Sequence, residues 1–569
     1  MKEIEKTIAE ILGVTPEEIS LEYAKALSHG DYTTSVALIR GAKEKISPLE
    51  IAEKCKEKLQ DSFTRIPDIE KVEVVNPGFI NFFLTRTYFS QKLLEIAGKE
   101  NLYGRSESLS GVKAIFEYTD PNLFKEFHIG HFMSNTVGET LSRMSEWLGA
   151  EVKRACYQGD VGLHVAKCLK GIEALREKEH IFPPPPDAPL GEQMKFLGKA
   201  YALGSSLEGE GAKEVATINK AVYERSLSNI NVLYDKYRKV SLDYFETMYE
   251  KFGTKFDFYF FESESGVFGK ELVEKFLEKG TFKESEGAII FDAKQYEGGK
   301  GLHTRVFINS YGIPTYEAKE LGLAKIKFDK YPYDLSVVIT GNEVNDYFRV
   351  LLVAMKEVFP ELALKTKHLS HGMLRLPKGK MSSRAGNIIS AETLIEMLKE
   401  KVLEKMKDSE VEDKEKVAEQ ISIGAIKYSI LKQAIGKDVI FDLEKSLSFE
   451  GDSGPYLQYT ASRIRSILRK ADDASIPEGI GHFSQEATSV ERLLIRFPDV
   501  VIRAHGENSP QLIASYLITL ASEFNSFYAN NRIVDGGVEA PFRLSLSRAV
   551  LIILQNGLHL LGIPSPERM

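Results

Sequence analysis

The sequence predicts a multi-domain α/β protein: a small α+β unit, a doubly wound α/β core and an all-α C-terminal part. Three observations point to it. Strand-like and helix-like patterns alternate from residue 110 to about 372, as in a parallel sheet covered by helices. After about residue 415 the apolar spacing becomes almost wholly helical. The length of 569 residues exceeds what one core organises, so roughly three or four domains are expected.

Residues 1–109 form the first unit. Helix-like segments lead to residues 72–84, two strand-like runs around a Pro77-Gly78 turn, and His29-Gly30-Asp31-Tyr32 reads as another turn. Residues 110–372 form the core. A strand-like run at 112–118 is followed by His128-Ile129-Gly130-His131 and a helix-like run at 132–148. In that helix Met133, Val137, Leu141, Met144 and Leu148 fall on one apolar face. Further strand-like runs at 151–157, 287–291, 304–308 and 335–340 are assigned to the same core, and Pro183-Pro184-Pro185-Pro186 marks a loop in an insertion. Residues 373–414 hold a Lys/Ser/Gly loop and a connector. The charged stretch 404–419 reads as a solvated helix or linker. Residues 415–569 carry helices expected at 420–433, 454–470, 491–503, 510–530 and 541–561.

Composition narrows the class. With 43% apolar and 27% charged residues the chain is ordinary for a globular protein, and no run approaches the ~18 apolar residues of a membrane span. Cys55, Cys156 and Cys168 show no paired spacing, so neither a disulfide framework nor a protein-held metal is expected; free thiols in a reducing cytoplasm fit them. The net charge of −8 gives no bulk attraction to nucleic acid. From Asp452 onward 11 Lys+Arg face 12 Asp+Glu, so any RNA contact there must rest on local patches and stacking aromatics.

The chemistry concentrates in two segments. Strand, small-residue turn and helix is an arrangement that binds phosphate, because a helix N-terminus offers unpaired N–H groups. Gly130 lets the backbone approach a nucleotide, and His128 and His131 can both face one polyphosphate. The plain structural alternative is a pair of capping histidines. Far downstream, Lys380-Met381-Ser382-Ser383-Arg384-Ala385-Gly386-Asn387 can fold over a triphosphate and neutralise the leaving pyrophosphate. Alone, such a loop would pass for a solvated turn.

In this order the two segments resemble the signature motifs of class I aminoacyl-tRNA synthetases, and the whole chain looks like a member of the arginyl-tRNA synthetase family. The resemblance implies a Rossmann-like catalytic core, a tRNA-contacting N-terminal domain and a helical-bundle anticodon-binding domain. It implies ATP-dependent ligation of L-arginine to tRNA(Arg), with Mg²⁺, in a cytoplasmic, non-membrane, monomeric enzyme. His128, Gly130, His131, Glu343, Lys380, Met381 and Ser382 would bind ATP. Where the general pattern has a second lysine this chain has Ser383, and Lys125, three residues before His128, stands where the family carries a substitute. Glu117, Asn122, Glu262, Tyr316 and Glu320 would bind arginine, with Glu320 replacing the usual Asp. A planar guanidinium calls for such forked carboxylates. Tyr456, Tyr459, Asn525, Tyr528 and Met569 would touch tRNA. Gly159-Asp160-Val161-Gly162 matches a family turn near the substrates, and Val344 departs from the polar residue common beside Glu343. Three alternatives stay open: a cysteinyl-like class I enzyme, a nucleotidyltransferase sharing His-x-Gly-His, and a tRNA-binding relative without catalysis.

Overall fold

The computed structural model describes residues 2–24, 29–377, 389–473 and 486–569. The chain folds as two compact units. One comprises Met1–Gly104, Thr460–Val500 and Tyr516–Asn556; the other comprises Arg105–Tyr459, Val501–Ser515 and Gly557–Met569.

The first unit holds a four-stranded antiparallel sheet in the order Glu22–Tyr23, Tyr32–Thr34, Phe79–Leu84, Ile69–Val75. Its last two strands are the runs expected around Pro77-Gly78. The sheet buries Ile80 and Phe82 against Ile8, Leu59 and Phe89, and Ile495 joins this core from the C-terminal helices. The turn at residues 29–32 needs its glycine. Gly30 has φ +87°, and a Cβ there would lie 2.6 Å from the carbonyl oxygen of Phe82. The single helix expected over 491–503 is two, Ser489–Leu494 and Phe497–Gly506. Pro498 has no N–H with which to continue the first helix and is tolerated in the first turn of the second.

The second unit is built on a five-stranded parallel sheet in the order Thr366–His371, Leu335–Gly341, Lys113–Glu117, Glu151–Gln158, Phe258–Phe261. The first strand in the chain is central, the next two are added on one side, and the last two on the other. The winding therefore reverses between Lys113–Glu117 and Leu335–Gly341, and a crevice opens beyond their carboxyl ends. Two expectations are corrected. The runs at 287–291 and 304–308 lie outside this sheet. They pair in a separate three-stranded antiparallel sheet, Lys283–Ser285, Ala288–Phe291 and Arg305–Ile308. Local β propensity cannot tell which sheet a strand joins, because that depends on pairing across the chain. The core strands Phe258–Phe261 and Thr366–His371 were not expected.

Helix Ile129–Trp147 follows the central strand and is buried almost all round. Met133, Val137, Leu141, Met144 and Leu148 are each 3% exposed or less, as their spacing predicted. Gly138 lets it settle on the sheet, since a Cβ there would lie 2.2 Å from the Tyr118 ring. Helix Lys414–Leu431 packs against it, where buried Lys427 donates to the carbonyls of Phe252 and Gly562 at 2.6 and 2.7 Å. All three cysteines are free and buried. No helix among the described residues is long and apolar enough to cross a membrane.

Candidate active site

A cavity of about 1150 Å³ occupies the crevice at the point where the winding reverses. Glu117 ends the central strand at its rim. The segment that follows is held in uncommon conformations, with Thr119 at φ +83°, Asp120 at φ +42° and Phe124 at φ +63°. Its surroundings impose them. Thr119 N–H donates to Ser134 Oγ at 3.0 Å, Leu123 N–H to the Gly159 carbonyl at 2.9 Å, and Phe124 N–H to Ser241 Oγ at 3.1 Å. Asn122 is thereby pressed on Gly159. A Cβ on Gly159 would lie 2.3 Å from Asn122 Oδ1 and 3.3 Å from Glu262 Oε1, so only glycine fits between them. Asp160, next in the same turn, accepts from the N–H and hydroxyl of Ser263 at 2.9 and 2.7 Å. It anchors the start of helix Glu262–Glu278, and with it Glu262 at the cavity wall.

His128 caps helix Ile129–Trp147. Its Nδ1 accepts from the N–H groups of Gly130 and His131 at 3.1 and 3.3 Å, while His131 Nδ1 accepts from His128 N–H at 3.3 Å. The rings stack with centroids 3.5 Å apart. Capping and ligand binding are therefore compatible: with both Nδ1 atoms acting as acceptors, each neutral imidazole carries its proton on Nε2. Burial, then the charge of Lys125, pushes His128 down to about 4, and burial holds His131 well below the usual range. Both rings are neutral donors rather than cations at neutral pH.

The wall of the cavity carries Glu117, Asp120, Glu262 and Glu320, with Asn122 and Tyr316. Two buried lysines answer two of these acids. Lys327 donates to Glu117 at 2.5 Å and Lys319 to Glu262 at 2.5 Å. Burial raises Glu262, and Lys319 partly offsets that. Burial together with the charge of Glu117 holds both Asp120 and Glu320 well above the usual carboxylate range.

Of the residues singled out in the sequence, the cavity gathers Glu117, Asn122, His128, Gly130, His131, Glu262, Tyr316, Glu320 and Glu343. Lys125 does not line it; its Nζ sits 4.3 Å from the centroid of the Tyr201 ring. Lys380, Met381 and Ser382 lie outside the described residues, whereas Leu376 and Ile389, on either side of them, both line the cavity. Ala391 N–H donates to the Phe127 carbonyl at 2.8 Å and Ile129 N–H to the Ile389 carbonyl at 3.3 Å, tying the end of that segment to the histidine turn. Sequence reasoning missed Asp120, Lys319, Lys327, Tyr347 and His371. Asp120 was legible as an acid between Glu117 and Asn122, and Lys319 stands inside the Tyr316–Glu320 run; Lys327 and His371 carried no local signal.

Two of the tyrosines that the resemblance implies would touch tRNA are partly covered. Tyr456 and Tyr459 are half-buried, and Tyr459 meets Phe449 edge-on at 5.9 Å. Met569 is also half-buried. In the other unit Asn525 donates to Thr460 Oγ1 at 3.1 Å and accepts from Arg463 at 3.0 Å. Tyr528, 37% exposed, stands beside a groove of about 700 Å³ that also carries Arg463, Lys470, Asn530, Asn531 and Arg532.

Residues 93–443 match the family described as tRNA synthetases class I (R), catalytic domain. Residues 457–569 match the DALR anticodon binding domain, and residues 1–84 the arginyl tRNA synthetase N terminal domain. The arginine–tRNA ligase of Treponema denticola is 31% identical over 582 residues, spanning 98% of this chain and 96% of the relative. Among solved structures, Thermus thermophilus arginyl-tRNA synthetase is similar with a TM-score of 0.77 at 24% identity, covering 100% of this chain and 99% of that one. The Plasmodium falciparum arginyl-tRNA synthetase has a TM-score of 0.74 at 20% identity, covering 100% and 98%.

Proposed function

The chain belongs to the class I arginyl-tRNA synthetases and is an arginine–tRNA ligase, and from that premise we propose how its residues divide the work. Arginine's carboxylate displaces pyrophosphate from the α-phosphate of ATP, and a hydroxyl of the 3′-terminal adenosine of tRNA(Arg) then takes the arginyl group, releasing AMP. The first step is an in-line displacement at phosphorus, so the protein contributes mainly position and donors to developing negative charge.

His128 and His131 donate their Nε2–H groups to phosphate oxygens. Gly130 admits the nucleotide, and Glu343 accepts from it. Lys380, with Met381 and Ser382, binds the β- and γ-phosphates. Lys125 leaves Tyr201 to supply the positive charge that Ser383 cannot. Glu262, Tyr316 and Glu320 receive the guanidinium, while Glu117 and Asn122 orient the α-amino and carboxylate groups. Glu117 acts with Lys327 as a pair: the lysine compensates its charge and leaves the other carboxylate oxygen for the substrate. Among the described residues no set of three His, Cys, Asp or Glu side chains is arranged to hold a metal ion. Mg²⁺ is read as part of the substrate, carried on the ATP phosphates. Tyr456, Tyr459, Asn525, Tyr528 and Met569 contact tRNA, and the cationic groove beside Tyr528 supports this reading. The division into 1–109, 110–372, 373–414 and 415–569, the monomeric state and the cytoplasmic location belong to the same proposal. The cysteinyl alternative gives way to the match of residues 93–443 to the class I (R) catalytic domain.

The observation that carries the proposal is one cavity joining a histidine-capped helix N-terminus to a set of buried carboxylates. Charging a tRNA pool with each amino acid in turn tests it. Arginine alone should be esterified, and Glu320→Ala should raise the KM for arginine at least tenfold with the KM for ATP little changed. Esterification of cysteine or lysine instead would overturn it.

A further inference from the structure

The charges along the carboxylate wall of the cavity do not balance. Four carboxylates line it, Glu117, Asp120, Glu262 and Glu320. Each lysine beside it already serves one of them, Lys327 with Glu117 and Lys319 with Glu262, both at 2.5 Å. Asp120 and Glu320 keep only neutral donors among the described residues. Asp120 Oδ1 accepts from the backbone N–H of Tyr157 at 2.7 Å, and the phenol of Tyr347 lines the same cavity as Glu320. Among the described residues the other ionisable groups beside Asp120 and Glu320 add no further cation. Tyr157 is neutral, and Glu317, on the same helix as Glu320, is engaged by Arg305 at 3.7 Å.

We propose that the Asp120 and Glu320 carboxyls together retain one proton in the ligand-free pocket, that L-arginine expels it on binding, and that Asp120 is a specificity-determining carboxylate of this site. The inference rests on the reading of the cavity as the arginine pocket. Lys327 attracts both of these carboxyls as well as Glu117, but two lysines for four enclosed carboxylates among the described residues leave a repulsion that one proton relieves. Burial and the neighbouring Glu117 push both carboxyls in the direction that retains it. When the guanidinium group enters, the carboxyl O–H bond breaks and the proton leaves to buffer. The carboxylate left behind accepts the substrate's N–H donors. Citrulline, with a neutral ureido group in place of the guanidinium, brings no side-chain charge to replace the proton, so discrimination against it grows as pH rises.

Calorimetric titration of the full-length enzyme with L-arginine, repeated in two buffers of different ionisation enthalpy, counts the protons. The wild type is expected to release about one proton per arginine, and its Kd is expected to fall about tenfold per pH unit while the pair remains protonated. Asp120→Asn should bring the count near zero and raise the KM for arginine at least tenfold, with the KM for ATP within twofold of wild type. Glu320→Gln provides a second variant, and the wild-type proton count stands without either. Arginine binding with no proton release, or an unchanged arginine KM in Asp120→Asn, would overturn this inference alone. Failure of the wild type to bind arginine would overturn the pocket assignment with it.

Discussion

Lys319 donates from Nζ to Oε2 of Glu262 across 2.5 Å, with both side chains buried at the wall of the cavity. The chain thus supplies its own cation to a carboxylate proposed to meet the substrate guanidinium. Removing one member of a buried pair costs roughly 3–5 kcal/mol, because the other charge is stranded. Lys319→Met should lower the Tm of the ligand-free enzyme, and saturating arginine should recover more of it than it adds to wild type. Thermal melts with and without arginine decide the point. A shift no larger than the wild type's would take the guanidinium away from Glu262.

His128 has two separable duties. Its Nδ1 caps the helix, and its Nε2–H is proposed to serve phosphate. Losing a cap costs about 1 kcal/mol, and asparagine can replace it. His128→Ala should therefore lose both stability and arginine activation. His128→Asn should keep its Tm while activation falls by about two orders of magnitude, the scale of one lost transition-state donor. Wild-type activity in the asparagine variant would leave His128 with capping alone.

Several imidazoles are stored neutral. Burial pushes His128, His368 and His559 down to about 4 and His164 to about 3. Because these folded-state values lie below the unfolded value of about 6.5, the unfolded chain takes up protons first as pH falls. Their contribution to stability is complete above about pH 6.5 and is lost as pH falls toward 4. Asp120 and Glu320 act in the opposite sense, since their raised values favour the folded state on acidification. Tm should decline from pH 7 to pH 4.5, more steeply in Glu320→Gln. A Tm independent of pH over that range would contradict the assignment.

Lys125 is held over the Tyr201 ring, 4.3 Å from its centroid, and not in the cavity. A cation–π contact of this kind is worth about 0.5–2 kcal/mol, weak enough for a triphosphate to draw the ammonium away. Lys125→Ala should slow adenylate formation at least tenfold while the Kd for arginine stays unchanged. Single-turnover measurements separate the two. A rate within twofold of wild type would return Lys125 to an ordinary surface role.

Much of the molecule was legible along the chain because the relevant physics is local. The apolar stripe from Met133 to Leu148, the turn at Pro77-Gly78 and the helical tail follow from spacing and from residues with restricted backbones. The two signature segments and the acids at Glu117, Glu262 and Glu320 were readable as chemical types in a fixed order. The sequence did not reveal that residues 288–291 and 305–308 pair with each other rather than with the parallel core. Nor did it reveal that Phe258–Phe261 closes one edge of that core.

Tertiary structure alone decided the electrostatics of the site. Lys319 and Lys327 are unremarkable helix residues by sequence, yet folding gives each a buried carboxylate partner and leaves Asp120 and Glu320 without one among the described residues. Residue type determines which charges the chain carries. Their protonation depends on burial and on groups brought together from distant positions, and those relationships exist only once the sheet has closed around the cavity.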